Sequence, residues 1–219
     1  MAPHAANLEA LLASSHLPIP QATDLKQLNN YLSLILRWNA RTNLTAIRAP
    51  QAILERHFLE SIACAYALPA GIATLLDFGS GAGFPGIPIT ICRPEIAVTL
   101  AESQGKKAAF LHEALRVTGV SARVYSGRAE TLPTQFDCVT LRAVDNMRQA
   151  VASAAHLVAA GGWLAPLTTR LDLPAIQTAA GAGFSWSSPI SLPCSTQGIL
   201  LLGRKASEIS DKKSELLPV

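Results

Sequence analysis

The stretch that most constrains this chain is Leu75-Leu76-Asp77-Phe78-Gly79-Ser80-Gly81-Ala82-Gly83-Phe84-Pro85-Gly86, a short apolar run that ends in closely spaced glycines and continues into a segment of helix length. Glycine tolerates positive φ where a strand turns sharply into a helix, and it lacks the Cβ that would hold a ligand away from the backbone. The stretch reads as a βα unit with a loop open to a nucleotide-type cofactor, an ordinary glycine-rich βα turn being the plainer alternative. Downstream, short apolar runs alternate with helix-length segments, the signature of a parallel sheet. Strands are predicted at Thr74–Phe78, Val98–Glu102, Arg123–Ser126, Asp137–Leu141, Trp163–Leu167, Phe184–Ser188 and Gly198–Gly203. Helices are predicted at Gly86–Cys92, Lys106–Val117, Met147–Ala159 with Gly161-Gly162 as a stop, and Pro174–Ala180. The last two strands lack an intervening helix and suggest a closing antiparallel hairpin.

Upstream of Gly71 the chain reads as helical. Leu25, Leu28, Leu32, Ile35 and Leu36 recur at helical spacing behind Asp24 as cap, and a second helix runs from Pro50 through Ile53, Leu54, Phe58, Ile62 and Ala65 to stop before Pro69. The polar turn Trp38-Asn39-Ala40-Arg41-Thr42-Asn43 separates them. The reading is an α/β chain with a seven-stranded, mostly parallel sheet, helices on both faces, a helical extension over residues 1–70, a core over 71–206, and a polar tail over 207–219 expected to be disordered.

Of 219 residues, 49% are hydrophobic and 15% charged, with a formal net charge of +3, enough apolar material for a sizeable core. The longest apolar stretch, Ile62 to Leu76, is broken by Pro69 and Gly71, so no transmembrane helix is expected. The first twenty residues lack a basic region and carry Glu9 and several prolines, so no secretory signal is read and a cytoplasmic, monomeric protein is expected. Cys64, Cys92, Cys138 and Cys194 form no C-x-x-C pair and each has apolar neighbours in sequence, which suits structural thiols. The five histidines show no metal-ligand spacing, and no metal is predicted.

Gly81-x-Gly83-x-x-Gly86 matches the dinucleotide fingerprint, and Glu102 falls about twenty residues later, where a ribose-binding acid belongs. Two features favour a different cofactor. Asp77 precedes the first glycine, and Pro85 and Pro88 stand where a pyrophosphate would need free N–H groups at the helix start. S-adenosylmethionine carries no phosphate; its ammonium suits Asp77, directly or through water, and its ribose hydroxyls suit Glu102. Both acids end neighbouring parallel strands and so face the crevice outside their carboxyl ends.

With these segments in view, the chain resembles the bacterial RsmG (GidB) family, which methylates guanine-N7 in small-subunit ribosomal RNA. The resemblance runs over roughly residues 25 to 170 and rests on an ordered set: Trp38-Asn39 with Asn43-Leu44-Thr45, Arg56-His57 with Glu60-Ser61, the loop Gly79 to Pro88, Glu102-Ser103 with Lys106-Lys107 and Phe110-Leu111, Gly127-Arg128-Ala129-Glu130, and Arg142-Ala143. It implies a Rossmann-like class I methyltransferase fold in which Gly79, Phe84, Ala129, Glu130 and Arg142 line the cofactor site, beside the independently read Asp77, Gly81 and Glu102. The chain departs from the family in having Glu60 where Asp is usual, and Pro166-Leu167-Thr168-Thr169 where a Lys-Gly pair follows the fifth strand, with Arg170 as a nearby substitute.

Guanine N7 carries an in-plane lone pair at neutral pH, so attack on a sulfonium methyl needs no base, which agrees with the lack of an evident nucleophile; alignment and electrostatics would supply the catalysis. No catalytic residue is assigned. N7 lies in the groove that A-form duplexes close off, so an unpaired target is expected. Residues 103–128 hold Lys106, Lys107, Arg116, Arg123 and Arg128 against Glu113 alone, a modest basic footprint or else a solvated helix face. Arg56, His57, Lys106, Lys107 and Arg128 are the candidate RNA contacts, with ribosomal RNA or the small subunit as partner. Trp38 reads as a junction aromatic, with base stacking as the other option. A small-molecule methyltransferase, a nicotinamide-dependent oxidoreductase and a non-catalytic RNA-binding protein remain as alternatives.

Overall fold

The computed structural model describes residues 5–207. All of the expected tail except Ser207 lies outside them. The strands are β1 (Thr74–Phe78), β2 (Ala97–Ala101), β3 (Arg123–Tyr125), β4 (Phe136–Arg142), β5 (Val158–Thr169), β6 (Phe184–Trp186), β7 (Ile190–Ser191), β8 (Gly198–Leu200) and β9 (Gly203–Lys205). They form one sheet with a main path β3-β2-β1-β4-β5-β8-β7, while β9 bridges β5 and β6. Strands β3 through β5 on this path pair in parallel, and β5 pairs antiparallel with β8 and β9. Because the chain steps outward from β1 to β2 on one side and to β4 on the other, the sheet has a switch point at the carboxyl end of β1, where open α/β sheets leave a crevice.

Among the described residues nine strands replace the seven expected, because the run Gly198–Gly203 divides and Ile190-Ser191 adds a short edge. Leu201 and Leu202 leave the ladder between β8 and β9, although the Leu201 N–H still donates to the Pro166 carbonyl at 3.1 Å. A second difference concerns Gly161-Gly162. The preceding helix α7 (Met147–Leu157) ends before them, and both glycines lie inside β5, where the register with β4 shifts between Phe136↔Val158 and Cys138↔Trp163. Gly161 has φ 73°, and a Cβ on Gly162 would sit 2.8 Å from the Asp137 carbonyl, so these glycines serve a strand irregularity and not a helix stop.

The helices cover both faces. On one lie α1 (Ala5–Ser14), α2 (Ala22–Asn39), α5 (Gly86–Cys92) and α6 (Gly105–Thr118); α7 and α8 (Leu173–Ala180) pack with the second cluster of apolar residues. Asp24 stands at the third position of α2 and forms a capping box with Gln21, one turn later than a cap residue would. Helix α2 buries Leu25, Leu28, Tyr31, Leu32 and Ile35, and Tyr31 reaches the glycine loop, donating its hydroxyl to the Ala82 carbonyl. The helix expected from Pro50 begins there, as α3 (Pro50–Ile53), but winds as a π-helix over Leu54–Leu59 before α4 (Glu60–Ala67). Such π turns occur mostly at functional positions, and here the stretch sets Arg56 and His57 against the end of β4.

Among the described residues no helix is long and apolar enough to cross a membrane. Cys64 and Cys138 are buried as expected, whereas Cys194 is exposed on a turn at φ 54°.

Candidate functional site

A cavity of about 590 Å³ opens at the carboxyl end of the parallel strands. Its floor is the loop after β1, with Gly79, Ser80, Gly81, Ala82 and Phe84; one flank is Glu102-Ser103-Gln104 after β2, the other Arg142 to Asp145 after β4. Residues Leu44 to Ile47 and the pair Arg56-His57, all upstream of the sheet, close the remaining side. That volume suits a ligand of nucleoside-conjugate size.

Glycine is required in the loop for two separate reasons. Gly86 is packed: a Cβ there would stand 2.3 Å from Leu100 and 2.6 Å from an Asp77 oxygen. Gly81 is open: at φ +57° its Cβ would find only the Gly79 carbonyl, at 3.9 Å, and the residue lines the cavity. The protein has room for a methyl group there.

Glu102, only 6% exposed, accepts hydrogen bonds from the backbone N–H of Gly81 at 2.9 Å and of Gln104 at 2.7 Å. It thereby fastens the glycine loop to the end of β2 while remaining part of the cavity wall.

Asp77 is absent from that wall. Buried to 1% exposure beneath the loop, it accepts the Gly86 N–H at 3.1 Å and the Thr140 hydroxyl at 3.2 Å. Both oxygens hold protein groups, and Asp77 lies beneath the cavity wall and not on it, where it holds the loop to β4. Burial pushes its pKa up to about 6, against the opposing pull of hydrogen bonds from Ser80, Gly86 and Thr140. A carboxyl whose folded pKa exceeds its unfolded one keeps its proton longer in the folded state. Stability therefore falls as pH rises from about 4 to about 6 and is level above that. Asp77→Asn, which can still accept from Gly86 and donate to Thr140, is expected to abolish that fall and to raise stability at pH 7; urea unfolding from pH 4 to 8 reads both.

Arg142 leaves β4 into a buried network. It donates to Glu60 at 2.7 Å, to His57 Nδ1 at 3.1 Å and to the Arg56 carbonyl, while Arg56 pairs with the other Glu60 oxygen at 3.1 Å. With side-chain exposures of 11% and 4%, Arg142 and Glu60 form a buried ion pair. Glu60 is thus a carboxylate shared by two guanidiniums. His57 stacks on Phe84 with ring centroids 4.9 Å apart. Burial and the neighbouring Arg142 hold its pKa down to about 3, so the ring is neutral.

The remaining candidates fall in four places. Lys107 lines the cavity and Lys106 is exposed beside it on α6. Ala129 and Glu130 form a 3-10 turn past β3, outside the cavity wall, with Glu130 paired to Arg128 at 3.9 Å. Trp38 packs on Phe110 at 5.4 Å and donates to Glu113 at 3.0 Å, a junction between α2 and α6. Arg170 is exposed and donates to Ser191, away from the cavity. The residues the sequence reading missed are on the upstream wall. Asn39 accepts from the N–H groups of Leu44 and Thr45, each at 3.1 Å, and donates to the Ile47 carbonyl at 3.2 Å, which folds the segment from 44 to 47 over the crevice. The only sequence signal was that Asn39 and Asn43-Leu44-Thr45 belong to the matching motifs.

Sheet order, glycine loop and strand-end acid together define a class I methyltransferase fold. Among solved structures, a methyltransferase from Pyrococcus furiosus superposes with a TM-score of 0.60 at 13% identity, covering 83% of this chain and 98% of that one. A SAM-dependent methyltransferase from Aquifex aeolicus gives 0.56 at 14% identity, covering 71% and 93%. Residues 24–176 match the family model described as rRNA small subunit methyltransferase G, and the chain belongs to that family. A ribosomal RNA small subunit methyltransferase G of Xanthomonas oryzae is 47% identical over 137 residues, 61% of this chain and 64% of that protein's length. The one from Stenotrophomonas maltophilia is 45% identical over 163 residues, 73% of this chain and 74% of its own.

Proposed function

We propose that the chain transfers a methyl group from S-adenosylmethionine to N7 of a guanine in small-subunit (16S) ribosomal RNA. The observation that carries the cofactor assignment is the pairing of an open glycine with a closed helix start. At Gly81 a missing Cβ leaves backbone accessible from the cavity, whereas the first N–H of α5 is already taken by the buried Asp77 carboxylate. A dinucleotide pyrophosphate would need that N–H and would meet a negative charge in its place; a sulfonium cofactor needs neither. In this reading Glu102 accepts the ribose hydroxyls on the lone pairs left by the Gly81 and Gln104 N–H groups, and the adenine extends past it toward Ala129 and Glu130. The methyl-bearing end then points toward β4, on the side of Arg142, His57 and Thr45.

When bound, S-adenosylmethionine supplies an electrophilic methyl. The chain's part is to align a purine edge with it and exclude water, since the N7 lone pair is free at neutral pH. The neutral His57 and the paired Arg142 present no free acid or base to the reaction. Membership in an rRNA methyltransferase family and the cations Arg56 and Lys107 on the cavity wall, with Lys106 and Arg128 exposed, support RNA over a small acceptor.

A titration with S-adenosylmethionine and, separately, NADH tests the cofactor: single-site binding of the first and none of the second is expected, and the reverse would overturn the assignment. Labelled-methyl transfer to small subunits lacking the modification tests the activity, with protein and small molecules as control acceptors. Lys106→Ala is expected to weaken RNA binding and reduce its logarithmic salt dependence by about one unit, with cofactor affinity unchanged. Lys107→Ala, which alters the cavity wall, should affect both; equal losses in the two variants would contradict this division.

A further inference from the structure

Thr45 has its hydrogen-bonding capacity fixed by its neighbours. Arg142 can only donate, so its bond to His57 Nδ1 requires that nitrogen to be unprotonated, and the imidazole proton resides on Nε2. Nε2 lies 2.8 Å from Thr45 Oγ1 and therefore donates to it. The Ile47 N–H donates to the same oxygen at 3.1 Å. Both lone pairs of the hydroxyl are thus occupied, and what it has left to offer is its proton. Thr45 is half-buried and lines the cavity, and its backbone is held in place by Asn39. Arg142, His57 and Thr45 form a relay of fixed polarity from the end of β4 to the crevice wall opposite the Glu102 flank.

We infer that Thr45 is a specificity-determining hydrogen-bond donor that selects a purine with an acceptor next to N7, guanine O6, and refuses adenine, whose N6 amino group donates from that position. This deepens the proposed function and rests on it. Along the edge that carries N7, guanine shows two acceptors and adenine an acceptor and a donor. A threonine with free lone pairs could rotate to suit either base; one locked as a donor cannot.

The test uses small subunits reconstituted around RNA in which the methylated guanine is either kept or replaced by 2-aminopurine, which retains N7 and lacks O6. Wild type, Thr45→Val and Thr45→Ser are compared in each. The guanine to 2-aminopurine ratio of kcat/KM is expected to be about 10- to 100-fold larger for wild type and Thr45→Ser than for Thr45→Val, a difference the intrinsic reactivity of the analogue cannot produce. S-adenosylmethionine affinity should stay within about twofold in all three, because the donor addresses the base. Equal ratios in wild type and Thr45→Val would overturn the inference. So would a loss of cofactor affinity matching the loss of activity, which would assign the donor to the cofactor's carboxylate. Should Thr45→Val fail to fold, with two N–H donors left unpaired, Thr45→Ala leaves room for a water on them; wild type methylating 2-aminopurine as fast as guanine overturns the inference with no variant at all. Lack of transfer in the guanine arm is the separate sign that the parent reading has failed.

Discussion

Gly81→Ala is expected to fold and to lose S-adenosylmethionine binding by at least about 100-fold, roughly 3 kcal/mol. Its Cβ would meet no protein atom nearer than the Gly79 carbonyl at 3.9 Å, so packing is spared, and the left-handed φ of +57° adds about 1–2 kcal/mol of strain. The methyl group would occupy the space through which a ligand reaches the loop. Gly86→Ala is the informative contrast: its Cβ would fall 2.3 Å from Leu100 and 2.6 Å from Asp77, both buried, so this variant should fail at folding and not merely at binding. Thermal unfolding with calorimetric titration separates the two. A Gly81→Ala protein that binds the cofactor normally would remove the loop from the site.

The second large effect concerns the pair that joins the upstream helices to the sheet. Arg142→Met strands a buried Glu60 and deletes the donors to His57 and the Arg56 carbonyl. Breaking a buried ion pair from one side costs about 3–5 kcal/mol, which for a domain of this size lowers Tm by about 6–20 °C. Removing both charges, Arg142→Met with Glu60→Met, should recover most of that stability, because paired burial gains little over apolar packing. Methyl transfer should not return, since the ordering of His57 and Thr45 is lost with the guanidinium. Urea unfolding and transfer rates on the three proteins test this; a double variant no more stable than Arg142→Met would show that the pair does not act as a unit.

The parts of the site that sequence could disclose are those set by local geometry. The end of β1, the glycines after it and Glu102 at the exit of β2 follow from strand length and turn chemistry, and the structure brings Gly81 and Glu102 into direct hydrogen bonding. Asp77 was legible as a strand-end acid, but not the direction of its carboxylate, because that depends on Thr140 from β4 and Gly86 from the next helix. Thr45, His57, Arg142 and Glu60 meet across as many as 85 residues of chain, and periodicity carries no information at that range. The split of the last strand had a similar origin: Gly198–Gly203 is uniformly apolar between its glycines, so only pairing with β5 and β6 determines where it breaks.

Methylation of guanine N7 in small-subunit RNA is read from the identity of the product nucleoside. Small subunits lacking the modification are incubated with the protein and labelled S-adenosylmethionine, and the RNA is digested and chromatographed. Label is expected in 7-methylguanosine at one stoichiometric position, and none when that guanosine is replaced by its 7-deaza analogue. Label in any other nucleoside, or transfer that survives the 7-deaza replacement, would contradict it.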